Sequence, residues 1–92
     1  MTPATLRSLV DALDCLDLRI VTSRHNDTML ECLATDQRGL RELETMSRHD
    51  CRRTVMVCWS YLTGWSVSVR GVRECGHDPL PMLRRAVARW PA

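Results

Sequence analysis

The segment from Thr54 to Arg70 constrains this chain most, because its pattern is that of a β-hairpin. Thr54-Val55-Met56-Val57-Cys58-Trp59-Ser60-Tyr61 is dense in β-branched and aromatic residues, Leu62-Thr63-Gly64 turns the chain, and Trp65-Ser66-Val67-Ser68-Val69-Arg70 alternates strictly. A period of two sends Trp65, Val67 and Val69 to one face and Ser66, Ser68 and Arg70 to the other. The first strand is apolar on both faces. That suits a central strand covered on both sides, or one whose second face meets another molecule. An isolated hairpin is barely stable in water, so the remaining sequence must extend the sheet and cover it.

Both ends of the chain supply covers. Thr2-Pro3 is a helix start, with threonine as cap and proline in the first turn, and Leu6, Leu9, Val10 and Leu13 follow at helical spacing. A helix over residues 3 to 15 is predicted. Asp78-Pro79 repeats the capped start, and Leu80, Leu83, Val87 and Trp90 form a second stripe that Pro91 ends. Arg84, Arg85 and Arg89 lie off it.

Residues 18 to 22 and 28 to 34 are rich in strand formers, and the polar run Arg24-His25-Asn26-Asp27 between them makes another hairpin. Asp36-Gln37-Arg38-Gly39 has Asp and Gly at the ends of a type I turn and points to a further strand from Leu40 to Met46. The composition of that stretch, with Leu40, Leu43 and Met46 three apart, favours helix instead. Residues 71 to 77 read as a loop. With 92 residues there is room for one core, so residues 1–92 form a single domain. The expected fold is α+β: an antiparallel sheet of four or five strands with the N-terminal and C-terminal helices packed on one face.

No apolar run is long enough to span a membrane, and the first residues lack a basic stretch followed by an apolar one, so no membrane association and a cytoplasmic location are expected. Five cysteines without regular spacing read as reduced thiols. All thirteen basic residues are arginine. Their distribution is uneven: residues 1 to 46 carry five arginines against eight acids, and residues 47 to 92 carry eight against three.

Candidate chemistry is sparse. His49-Asp50-Cys51 and Cys75-Gly76-His77 together offer two sulfurs and two nitrogens to a zinc ion, although the one-residue spacing departs from the usual structural pairs. Cys51 stands beside His49 and Arg52-Arg53, a setting that lowers a thiol pKa, but no orienting group or oxyanion site accompanies it. No glycine-rich phosphate loop, nucleophile elbow or framed pair of carboxylates occurs. Catalysis and a bound cofactor are therefore not expected.

Binding is the remaining class. Arg52, Arg53, Trp59, Tyr61, Arg70 and Arg73 gather in and around the second hairpin, and Trp, Tyr and Arg are enriched at protein interfaces. Nucleic acid is the alternative partner, with Arg84, Arg85 and Arg89 as phosphate contacts. A zinc-stabilised interaction module is another. A homodimer through an uncovered sheet face or an edge strand is a further possibility.

The run Gly64-Trp65-Ser66-Val67-Ser68-Val69-Arg70, a loop, and then Asp78 to Trp90 resembles small phage-encoded α+β sandwich proteins, some of which are anti-CRISPR inhibitors. The resemblance covers the last third of the chain and carries over no functional residue. It implies a stoichiometric viral inhibitor of a host defence (CRISPR-Cas) complex, acting by steric occlusion.

Overall fold

The computed structural model describes residues 3–92. They form α1 (Pro3–Cys15), β1 (Arg19–His25), β2 (Met29–Thr35), α2 (Gln37–Glu42), β3 (Thr54–Ser60), β4 (Gly64–Val69), β5 (Val72–Gly76) and α3 (Pro79–Val87). The strands make one sheet in the order β1-β2-β3-β4-β5, each antiparallel to its neighbour in sequence. The fold class expected from the sequence holds.

The core lies between the sheet and the two terminal helices. Leu30, Cys32, Ala34, Val55, Val57, Trp65, Val67 and Val69 from the strands meet Leu9, Ala12 and Leu13 of α1 and Met82, Leu83 and Ala86 of α3. Trp65, Val67 and Val69 are buried as their alternation requires. Leu6 and Val10, also on the α1 stripe, remain substantially exposed. The cap assigned to Thr2 lies outside the described residues.

Local chemistry explains the helix ends. Asp78 caps α3 by accepting from the Leu80 amide at 3.2 Å, with Pro79 in the first turn. After α1, Asp17 takes the left-handed conformation (φ 53). The Leu18 amide then donates to the Leu13 carbonyl at 2.9 Å and the Asp17 amide to Asp14 at 3.2 Å. This is a Schellman closure, sealed by the buried side chains of Leu13 and Leu18.

Two expectations are corrected. Residues 40–46 form no strand; they complete α2 and the turns after it. Asp36 opens this helix by accepting from the Gly39 amide at 2.8 Å. Gly39 is there for close approach rather than for a turn, since a Cβ would collide with Thr35 Oγ1. The fifth strand is instead Val72–Gly76, a segment that reads as loop because Gly, Arg, Glu and Cys carry no strand pattern. It is recruited by pairing with β4, from Val69 opposite Val72 to Trp65 opposite Gly76.

Candidate functional site

The sheet has one face without a long helix, and register fixes what it displays. One cross-strand row runs Thr22, Leu33, Met56, Ser68, Arg73, and the next runs Arg24, Glu31, Cys58, Ser66, Cys75. Leu33, Met56 and Cys58 are half-buried. The helix α2 covers only the far end of this face, where Gly39 sits on the buried Thr35. Arg73 Nη2 donates to Ser66 Oγ at 3.2 Å and shields that serine, which alternation alone assigns to solvent.

The arginines of the second half of the chain separate into two populations, whereas Arg24 on the open face is paired with Glu31 at 3.0 Å. On the helix side, Arg85 binds the Glu74 carboxylate with Nε at 2.9 and 3.1 Å and Nη2 at 2.8 Å, while Arg89 lies at 3.9 Å from it. Arg85 holds the Glu74 carboxyl below the usual carboxylate range. Of the three arginines considered for nucleic acid, Arg85 and Arg89 thus lie against an acid with side chains 57% and 44% exposed, and Arg84 forms no ion pair among the described residues. Around the open face, Arg48, Arg52, Arg70 and Arg73 form no ion pair among the described residues.

Arg53 belongs to neither population. Its guanidinium makes a two-point contact with the Asp36 carboxylate, donates to the Pro91 carbonyl and lies 5.4 Å from the Trp90 ring centre. Its side chain is only 15% exposed. It is held within the chain as a structural clamp, whereas its neighbour Arg52 is exposed.

Trp59 is half-buried and faces away from the open face. It is the cross-strand partner of Trp65 and packs against the core on the helix side. Tyr61 and Leu62, in contrast, project from the β3–β4 turn at 74% and 85% exposure. The Tyr61 amide donates to the Thr28 carbonyl at 2.9 Å, tying this tip to the β1–β2 turn beside exposed Met29.

The two His/Cys pairs do not meet. Cys51 precedes β3, whereas Cys75 lies in the row of Cys58 near the other end of that strand, and His77 follows β5. No cluster of three or more metal-ligating side chains occurs among the described residues. The expected activation of Cys51 is reversed, because the residue is buried and its Sγ lies 3.6 Å from Glu42 Oε2. Burial pushes its thiol up, with the Glu42 carboxylate adding to the effect. Burial likewise raises Cys58, and Cys32 to about 11.

Sequence reasoning missed Arg48. Its Nη1 donates to Thr22 Oγ1 of β1 at 3.3 Å, which carries the 43–53 loop over the edge of the open face. Nothing local in the sequence signals a contact across so many residues. No helix among the described residues is long and apolar enough to cross a membrane. No known family model matches this chain, and neither a curated protein nor a solved structure matches it.

Proposed function

We propose that this chain is a non-catalytic protein-binding domain that presents the open face of its sheet, away from α1 and α3, to an acidic partner. The observation that supports this most is the partition of its arginines. Those of α3 are largely engaged by Glu74, while Arg48, Arg52, Arg70 and Arg73 surround the open face without carboxylate partners among the described residues. The half-buried Leu33 and Met56 between them add apolar contact, the mixture of apolar centre and polar rim common to protein interfaces.

Composition of the face favours protein over nucleic acid. Neither of its two central rows carries an aromatic ring, and single-stranded nucleic acids are held largely by stacking on such rings. The resemblance read in residues 64–90 to small phage-encoded α+β sandwich proteins, some of which are inhibitors, supplies a mode of action for this proposal. A domain of this size bound through a broad face would occlude a working surface of its partner, such as that of a host defence complex.

The test compares partners captured by the tagged chain in its native cells with those captured by two variants. Ser68→Glu places a carboxylate at the centre of the face, opposite Arg73, and Arg84→Glu reverses a charge on the helix side. Arg84 is exposed, so Arg84→Glu should alter stability by less than about 0.5 kcal/mol, whereas Ser68 is half-buried and the Ser68→Glu variant is used only once its thermal unfolding shows a cooperative fold. The expected result is a protein partner retained by wild type and Arg84→Glu but lost by Ser68→Glu. Equal capture by Ser68→Glu, or recovery of nucleic acid alone, would contradict the reading.

A further inference from the structure

The open face ends in a pocket built by the β4–β5 turn and the loop before β3. The turn is two residues long, Arg70-Gly71, with φ of 50 and 85 between the paired residues Val69 and Val72. Positive φ at both positions is the type I′ geometry, which favours Asn or Asp followed by Gly. Gly71 meets that demand, whereas Arg70 pays a steric penalty that its asparagine counterpart largely avoids. A strained residue at a surface turn, with no hydrogen bond or ion pair from its side chain among the described residues, points to a use for that side chain.

That side chain lines a cavity of about 300 Å³ together with Arg48, His49, Asp50, Arg52 and Thr54. Three arginines and one acid are thus among the lining residues, and Asp50 already accepts from Ser47 Oγ at 2.9 Å. The wall formed by Arg48 is shared with an adjoining groove of about 260 Å³ that runs over Leu33 and Met56. The hydrogen bond from Arg48 to Thr22 holds it between the two.

We infer that the pocket receives carboxylates of an acidic segment of the protein partner, with an apolar side chain of the same segment in the Leu33–Met56 groove. This rests on the binding role of the open face and adds the chemistry of what binds there. Arginine forks match carboxylates in two-point geometry, and neighbouring guanidiniums left without acids gain most from such a ligand.

The probe is a capped oligo-glutamate peptide containing one leucine, titrated into the isotope-labelled full chain at low salt. Amide shifts should move in residues 47–54 and 69–72, and again beside Leu33 and Met56. Arg70→Asn should bind the peptide about tenfold more weakly. Its melting temperature should equal or exceed that of wild type, because asparagine suits the turn better. Wild-type affinity in Arg70→Asn, a lowered melting temperature, or shifts confined to the Arg84 side would overturn the inference. Tighter binding of duplex DNA in the same pocket would overturn the acidic-protein assignment. If Ser68→Glu abolishes partner capture while the peptide ignores the pocket, the binding face stands and the pocket assignment falls.

Discussion

Arg52 and Arg53 are adjacent, identical in type and opposite in role. Arg52 lines the open pocket, whereas Arg53 is drawn inward by Asp36, the Pro91 carbonyl and Trp90. Asp36 performs two tasks, capping α2 through the Gly39 amide and holding Arg53. The hydrogen bonds from Arg53 come first among the causes that lower its pKa, ahead of the opposing effect of burial. A carboxyl with a folded pKa below its unfolded value stabilises the fold fully above the unfolded pKa, about 3.9, and loses that contribution as pH falls through the folded value. Asp36→Asn should therefore cost about 1–3 kcal/mol at neutral pH, reduced toward the lower end by partial solvent exposure. The difference from wild type should shrink below about pH 4. Urea midpoints of the two proteins at neutral and acid pH measure this, and a constant difference would refute it. The partnership itself is invisible in the sequence, where nothing distinguishes one arginine of the pair from the other.

The elements divide according to how much of their stability is local. Trp65 to Val69 and Asp78-Pro79 at the start of α3 carry their own instructions, as period-two alternation and a capped first turn, and both form as expected. The helix α2 is short and depends on contact with the sheet, so competing signals of turn and strand obscured it. Gly39 is its diagnostic residue, because a Cβ there meets Thr35 Oγ1 and, at 3.0 Å, the Arg53 carbonyl. Gly39→Ala gains helix propensity but must displace one of these groups. A net destabilisation of about 1–3 kcal/mol is expected, the usual cost of overpacking, and chemical denaturation reads it. The strand β5 is the reverse case. Its sequence lacks a strand signature, and the tight Arg70-Gly71 turn brings it into register with β4.

Across the whole molecule, the C-terminal turn fastens α3 to the start of β3 and to α2 together. The Trp90 indole N–H donates to the Thr54 carbonyl at 3.0 Å, its ring faces Arg53, and Arg53 reaches Asp36 at the head of α2. Trp90→Phe retains most of the apolar volume but leaves the Thr54 carbonyl without the indole donor. A loss of about 1–2 kcal/mol is expected, with an unchanged dependence of stability on urea concentration. A change in that dependence would indicate that the clamp governs the extent of the folded unit. The same global arrangement turns the charge gradient of the chain into a sidedness. The basic half contributes to both surfaces, but Glu74 engages two arginines on the helix side and leaves the sheet side basic.

By itself, the sequence determined the α+β class, the two terminal helices, the β1–β2 and β3–β4 hairpins and the inward set Trp65, Val67 and Val69, because periodicity, caps and turn residues act over a few positions. It also determined that the second half of the chain is basic. Only the tertiary structure decided that the fifth strand is Val72–Gly76, that Trp59 turns toward the helices and that Arg53 is a clamp. It also brought Arg48 beside Arg52 and Arg70. Each of these depends on partners many residues away, whose effect is felt only when the sheet has closed against its helices. The hairpin at Thr54 to Arg70 is legible in its residues; which of its faces remains open is a property of the packed molecule.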